Sequence, residues 1–426
     1  MKAIGIDIGT TGICGVLLDR ETGTVERSVT KNSNAFLEGC APWERIQSVD
    51  KILGLAEDIL DSLTDEEVGV IGITGQMHGI LYFDAEGRAI SPLYTWQDGR
   101  GNLPSGDTTY AKRLHSFSGY GCVTDLYNRE NGIRPAAAVG FCTVQDYLVM
   151  HLCGLKRPLM HATNAAGLGT YSADTATLAY DPSIKAVTDF RLAGEYRGIP
   201  VSVAIGDNQA SVFSTLIDED KLLVNVGTGS QVSIVSDRPA EGENIETRPY
   251  FDGKYLVVGS ALCGGRAYSL LKEFFASVLR YRERVEDEAV YAMMGEMLKE
   301  TETASLTVDT RFAGTRSDAS VTGSIGNVTT ENLTPAQLTR GVLEGMAGEL
   351  HHMYEQMGVR RCGIVASGNG VRKNAAFADT LARVFGGEIS FPAHVEEAAV
   401  GAALFGLVAC GACDSAAEAQ SLVRSK

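Results

Sequence analysis

The chain opens on an apolar run, Ala3-Ile4-Gly5-Ile6-Asp7-Ile8, followed by Gly9-Thr10-Thr11-Gly12 and a second apolar run over residues 13–18. Two apolar segments joined by a short Gly/Thr turn predict a β-hairpin, and residues 25–30 can supply a third strand. The pattern returns in Val224-Asn225-Val226-Gly227-Thr228-Gly229-Ser230, which leads into residues 231–235. Asp7 aligns with Asn225, Gly9 with Gly227, Thr10 with Thr228 and Asp19 with Asp237. One long-period copy at near half the chain length indicates two similar α/β domains, 1–209 and 210–426.

A second echo supports the duplication. Residues 68–76 (VGVIGITGQ) resemble residues 362–369 (CGIVASGN), each an apolar strand running into a polar glycine loop. Continuous apolar strands of this kind belong in a sheet covered on both faces. Ile46, Val49, Leu53, Ala56, Leu60 and Leu63 share one helical face. Asn374 can cap a helix carrying Phe377, Leu381 and Val384, which Gly386-Gly387 stops. Residues 317–334 read as a loop or irregular hairpin, and residues 283–300 and His351-His352 as helix surface of mixed charge. The longest uncharged apolar stretch, 398–413, is too short and too glycine-rich for a membrane span and reads as a buried helix.

Charge and cysteines narrow the class. Of the 426 residues, 44% are hydrophobic, enough for a sizeable core. With 37 Lys and Arg against 53 Asp and Glu, the net charge is −16, which opposes binding to nucleic acid or anionic membranes. Asp7 arrives too early for a secretory signal. The nine cysteines, Cys40 among them, are scattered in apolar segments and read as reduced, buried thiols of a cytoplasmic protein. Cys410 and Cys413 form a CxxC without the second ligand pair that a zinc site needs.

The two Gly/Thr turns carry the chemistry. Glycine lets backbone N–H groups converge on an anion, and Thr10, Thr11, Thr228 and Ser230 add hydroxyls. Asp7, just before the first turn, could hold Mg²⁺ through water. The plain alternative is a pair of ordinary hairpin turns. No GxxxxGK[ST] or GxGxxG string is present. A duplicated domain with paired phosphate turns suggests the actin-like (ribonuclease H-like) architecture, with ATP in the cleft between the domains.

At the level of motifs the chain resembles the FGGY carbohydrate kinases. The strings that carry the resemblance are GIDIGTTG from Gly5, TGQMHG at 74–79, TWQDGR at 95–100, LCGLKRPLM at 152–160, NAAG at 164–167, AIGDNQAS at 204–211 and SGNGVRKN at 367–374. TWQDGR and LCGLKRPLM narrow it toward members that phosphorylate sedoheptulose. The chain is short for this superfamily and lacks a Lys-x-x-Trp pattern over 128–141.

The resemblance implies transfer of a phosphoryl group from ATP, with Mg²⁺, to the terminal primary hydroxyl of a ketose: sedoheptulose to its 7-phosphate, or alternatively D-xylulose to its 5-phosphate. It places the catalytic base at Asp207, whose residue-level alternative is a helix N-cap, and the metal at Asp7 and Asp207. The sugar is expected at Gln76, Met77, His78, Trp96, Asp98, Arg100, Asp207 and Asn208, with Asn164 as a weaker candidate. The bland readings are a core Trp96, a surface Asp98–Arg100 ion pair and a satisfied loop histidine at 78. Phosphate and adenosine are expected at Gly9, Thr10, Thr11, Gly227, Thr228, Gly229, Gly264, Gly265, Gly368, Asn369, Gly370 and Asn374, against a plain strand–helix turn at the glycine pairs. Thr315 and Arg316 receive no role. The resemblance leaves room for a homodimer. A non-catalytic nucleotide switch of the same architecture is the rival of another class.

Overall fold

A computed structural model describes the chain except residues 39–40, 217, 282–284, 316–317, 319 and 424–426. Cys40, Glu283, Arg316 and Ser317 therefore lie outside the described residues. The chain divides into two compact units: Met1–Ile217 with Arg248–Lys254 and Ala393–Lys426, and Asp218–Thr247 with Tyr255–Pro392.

The first unit is built on β1 (Lys2–Ile8), β2 (Gly12–Asp19), β3 (Val25–Asn32), α1 (Val49–Leu63), β4 (Val68–Gly75), β5 (Leu192–Tyr196), β6 (Ile199–Ser202), β7 (Ile205–Gly206) and α2 (Asp207–Thr215). Its sheet runs β5-β6-β4-β1-β2-β3, with β7 also on β4. β1, β2 and β3 form an antiparallel meander, whereas β4 lies parallel to β1 and to β7. Helix α1 starts later than its apolar spacing predicts. Ser48 caps it, its Oγ accepting from Lys51 N–H at 3.3 Å, and Ile46 belongs instead to a two-residue strand paired with Tyr94. The helix buries Val49, Ile52, Leu53, Ala56, Ile59, Leu60 and Leu63.

The second unit repeats the plan with β8 (Lys221–Val226), β9 (Ser230–Ser236), β10 (Tyr255–Ala261), α3 (Gly265–Leu279), α4 (Pro335–Gln356), β11 (Gly363–Ser367), α5 (Ala375–Phe385) and β12 (Glu388–Ser390). The order β10-β9-β8-β11-β12 matches β3-β2-β1-β4-β6 strand for strand, antiparallel on one side of the first strand and parallel on the other. Register matches as well: Asp7 lies opposite Thr74, and Asn225 opposite Ser367. Asn374 Oδ1 caps α5 by accepting from Phe377 N–H at 3.1 Å, and Gly386 ends it in the left-handed conformation at φ +67°. Ser324–Gly326, inside the segment expected to be a loop or irregular hairpin, pairs with Thr307–Asp309, which precedes that segment.

The chain then returns to the first unit, which corrects the expected division at 209/210. Residue 209 falls inside α2, and Ala393–Lys426 packs with the first unit. The cause is visible in α6 (Glu397–Ala409), which is apolar on every side and buried over most of its length. Its backbone lies against the first sheet so closely that a Cβ on Gly72 would come 1.8 Å from Ala402 O. On α2 the same helix is tied by Ser214 Oγ, which donates to Glu397 O at 2.7 Å. No helix among the described residues is long and apolar enough to cross a membrane. The described cysteines form no disulfide. Cys14, Cys122, Cys142, Cys263 and Cys413 are buried as expected, but Cys362 is exposed.

Candidate active site

In parallel α/β sheets ligands gather beyond the carboxyl ends of the strands. In the first unit β1 ends at Ile8, β4 at Gly75 and β7 at Gly206, and the predicted polar residues follow directly. Asp7 faces Thr74 across β1/β4, and Thr74 faces Ile205 across β4/β7. Asp207 then opens α2. Gly206, not Asp207, is the N-cap, and it makes no side-chain capping bond. Asp207 sits in the first turn, where its Oδ1 accepts from Asn208 N–H at 2.7 Å. It therefore stabilises the helix start while remaining half-buried at the strand ends. Burial raises its carboxyl to about 6, against the opposing pull of the Asn208 N–H and the Arg248 guanidinium.

Asp7 is raised to about 7 by burial, then by the charges of Asp207 and Glu396. Its Oδ1 is shut from solvent with no hydrogen-bond donor. A buried carboxylate oxygen without a donor is costly unless a cation or proton satisfies it. Among the described residues no group of three His, Cys, Asp or Glu side chains could cage a metal ion. Two neighbouring carboxylates, one with an unsatisfied oxygen, nonetheless fit Mg²⁺, which keeps most of its water and needs only one or two carboxylates.

The Gly9-Thr10-Thr11 turn connects to the next loop through side chains. Thr10 Oγ1 donates to Gln76 Oε1 at 3.3 Å and accepts from Trp96 Nε1 at 2.9 Å. Gln76 Nε2 donates to Gln47 Oε1 at 3.0 Å, and Gln47 Nε2 to Thr10 O at 2.7 Å. Trp96 is thus no core residue: it is 44% exposed and held at the turn by its ring nitrogen. Met77 is buried beneath Gly206. His78 adopts φ +75°, stacks on Tyr120 with centroids 4.2 Å apart and places Nδ1 2.7 Å from Gly167 O. A carbonyl only accepts, so Nδ1 carries the hydrogen. Asn208 Oδ1 accepts from Arg248 Nη1 at 3.4 Å.

Three predicted sugar contacts are not available as such. Asp98 and Arg100 are enclosed, at 1% and 0% exposure. Asp98 Oδ1 accepts from Arg100 N–H at 3.1 Å and Nε at 2.6 Å, and its Oδ2 from Arg100 Nη2 at 3.1 Å and Arg45 N–H at 3.0 Å. Arg100 also donates to Asn128 Oδ1 and lies 4.2 Å from the Tyr94 ring centre. With every carboxylate lone pair engaged, the pair fixes the loop that carries Trp96 instead of touching a ligand, and it is buried where a surface ion pair was the alternative. Asn164 is likewise fully buried and fully bonded.

The second unit offers a cavity of about 950 Å³ beside its own turn. Gly227, Thr228, Gly265, Asn369, Gly370 and Asn374 line it. Gly264 and Gly229 touch backbone to backbone: a Cβ on Gly264 would fall 2.4 Å from Gly229 C. Gly265 N–H donates to Gly227 O at 2.9 Å and Arg266 N–H to Thr228 O at 3.1 Å, which seats the start of α3 on the turn. Gly368, at φ +83°, lies over Val226 and turns the chain toward the cavity. Asn374 spends its Oδ1 on the helix cap and bonds the Tyr268 hydroxyl through its side chain, which places both at the cavity wall. Two lining cations, Arg266 and Lys373, escape the sequence reading, as does the stacked pair Tyr268–Tyr291. Their signal was adjacency: Arg266 follows Gly264-Gly265, and Lys373 lies within SGNGVRKN.

Comparison with known proteins agrees with this arrangement. Residues 2–105 match the N-terminal domain, and residues 222–410 the C-terminal domain, of the FGGY family of carbohydrate kinases. The sedoheptulokinase of Mus musculus is 29% identical, covering 94% of this chain and 96% of its own. The fold is that of xylulose kinase from Rhodospirillum rubrum, with a TM-score of 0.85 at 20% identity over 100% of this chain and 93% of the other. It is also that of Plasmodium falciparum glycerol kinase with ADP, with a TM-score of 0.81 at 18% identity over 100% and 92%. Two actin-like domains, each closing its first hairpin with a glycine turn, and family matches in both halves establish that the chain belongs to the FGGY family of carbohydrate kinases.

Proposed function

We propose that this carbohydrate kinase transfers the γ-phosphoryl group of ATP to the terminal primary hydroxyl of sedoheptulose, giving the 7-phosphate. The observation that carries the chemistry is Asp207: a half-buried carboxylate at a strand–helix junction, raised to about 6, where a general base operates well near neutral pH. Its Oδ1 is held by the Asn208 N–H, and its other oxygen accepts the proton of the attacking hydroxyl. The hydroxyl oxygen bonds to the γ-phosphorus, the bond from that phosphorus to the β,γ-bridging oxygen breaks, and ADP leaves. Asp7 and Asp207 are the residues that would hold Mg²⁺, which supplies neutralisation of phosphate charge when bound. Trp96, His78 and Asn208 face the sugar, Trp96 by its exposed ring face and the other two by polar groups at the strand ends, while Gln76 and Met77, both buried, back that wall. ATP is supported by the fold shared with an ADP-bound glycerol kinase and by the cation-lined cavity of the second unit. Thr228, Gly265 and Arg266 receive phosphate, and Asn369, Gly370 and Asn374 the nucleoside.

Sedoheptulose is favoured over xylulose by the higher identity to a sedoheptulokinase, 29%, than to a xylulose kinase, 24%, each over 94% of this chain. Membership of a kinase family removes the argument for a non-catalytic switch. The test is ADP release by the purified protein with ATP and Mg²⁺ across sedoheptulose, D-xylulose, D-ribulose and glycerol, with the phosphate position read by NMR. The highest kcat/KM is expected for sedoheptulose, with phosphate on C7. A higher kcat/KM for D-xylulose would move the assignment to the five-carbon sugar, and ADP release indifferent to every ketose would end it.

A further inference from the structure

Three side chains from two other elements hold the three residues that lead into Asp207, each gripping a different backbone group. Asn164 Nδ2 donates to Ala204 O at 3.0 Å, Thr74 Oγ1 donates to Ile205 O at 2.8 Å, and Thr163 Oγ1 accepts from Gly206 N–H at 3.0 Å. All three side chains are 0% exposed. They are braced in turn. Asn164 also donates to Asp146 Oδ1 at 3.0 Å and accepts from Gln145 Nε2 at 3.0 Å, while Asp146 Oδ2 accepts from Thr143 Oγ1 at 2.7 Å. The Thr163 hydroxyl lies 3.0 Å from His161 Nδ1, and that nitrogen also accepts from Thr163 N–H at 3.2 Å. An N–H can only donate, so Nδ1 is an acceptor and the hydroxyl hydrogen points to it. The hydroxyl lone pairs are thereby turned toward Gly206.

Strand β7 has only two residues and pairs with β4 at Ile205–Thr74 and Gly206–Gly75. So short a ladder fixes the direction of the departing chain poorly, and the carboxylate of the next residue inherits any tilt. We propose that Thr163, Asn164 and Thr74 are positioning residues for the general base, setting the direction in which Asp207 leaves the sheet. This rests on the reading of Asp207 as the base. A misplacement on the order of 1 Å costs roughly a hundredfold in rate, so loss of one grip is expected to act on turnover and to spare nucleotide binding, which the second unit's cavity supplies.

The experiment compares wild type with Thr163→Val, Thr163→Ser and Thr74→Val for kcat, nucleotide KM and melting temperature. Expected is a ten- to hundredfold fall in kcat for both valine variants, nucleotide KM within twofold of wild type, and most of the kcat retained by Thr163→Ser. Valine variants that melt lower yet keep wild-type kcat would make the three bonds mere satisfaction of buried backbone and overturn the proposal. So would a kcat loss matched by an equal rise in nucleotide KM. If Thr163→Val does not fold, Thr74→Val and Thr163→Ser decide alone. A wild type inactive on every ketose removes instead the reading of Asp207, and is seen before any variant is made.

Discussion

The two units place different chemistry on the same backbone. At the end of the first strand, one carries Asp7 and the other Asn225; on the adjacent parallel strand, one carries Thr74 and the other Ser367, in identical register. In the second unit the pair closes on itself, Asn225 Nδ2 donating to Ser367 Oγ at 2.7 Å. In the first it does not: Thr74 turns its hydroxyl to Ile205 O, and Asp7 keeps an oxygen with no donor. One copy is neutral and self-satisfied beside an open cavity; the other carries Asp7, Asp207 and Glu396, where burial raises the first two and the neighbouring charges raise Asp7 further. On the proposed function a duplicated fold divides the labour: the copy assigned the phosphate carries no carboxylate at its strand end, and the copy assigned the proton transfer keeps Asp7 and Asp207 there.

The sharpest way to break this contrast is to remove the proton acceptor. Asp207→Ala is expected to lower kcat by about 10²–10⁴-fold, while ADP binding measured by calorimetry changes less than about threefold. Comparable losses in both would mean that the first unit's carboxylates serve nucleotide binding and that the division of labour is wrong. The complementary change gives the second unit what the first has. Asn225→Asp removes the donor to Ser367 and puts a negative charge at the strand end nearest the phosphate turn, so nucleotide affinity is expected to fall about tenfold, roughly 1.4 kcal/mol, with sugar KM unaltered. Unchanged affinity would show that the neutrality of this strand end has no bearing on phosphate.

How much of this division could be read from residues alone follows from the kind of information each part needs. The duplication, both hairpins and the strand-end positions of Asp7, Asn225 and Asp207 are local patterns of apolar runs and glycine turns, and they are legible. The return of Ala393–Lys426 to the first unit is not. A helix apolar on all sides announces burial without saying against what, and the complementary smooth surface at Gly72 lies more than three hundred residues away. Asp98 and Arg100 mislead for a similar reason. As a polar pair beside Trp96 they look like ligand contacts, but their enclosure depends on Trp43, Tyr94, Tyr127 and Asn128, which only the fold gathers around Arg100. Thr163 and Asn164 show the converse: they sit beside or in the NAAG string at 164–167, yet their grip on residues 204 and 206 exists only in three dimensions.

Acidity sharpens the contrast at smaller amplitude. Asp207 must be ionised to accept a proton, and its charge in turn holds Asp7 up. With these groups raised to about 6 and about 7, kcat/KM is expected to fall roughly tenfold per pH unit below that range. A pH–rate profile flat down to pH 5 would place both carboxyls at their ordinary acidity and remove the electrostatic half of the comparison.

The smallest expected effect concerns stability and isolates Asp7 from the reaction. Its folded-state carboxyl, at about 7, lies above the ordinary value near 3.8. The folded chain therefore binds more protons than the unfolded chain between these values. The associated stability is fully present below about pH 4 and is lost as pH rises through 7. Asp7→Asn replaces the carboxylate by a neutral amide and removes that loss. In chelator-treated protein the variant should gain relative to wild type on passing from pH 5 to pH 8. Partial exposure of the group reduces the gain to on the order of 1–2 kcal/mol, a rise of a few degrees in melting temperature. The equivalent change at the neutral strand end, Asn225→Ala, loses a hydrogen bond and should show no such pH dependence. An Asp7→Asn difference that is the same at both pH values would mean that Asp7 is satisfied in the folded protein, and the asymmetry between the two strand ends would then have no energetic content.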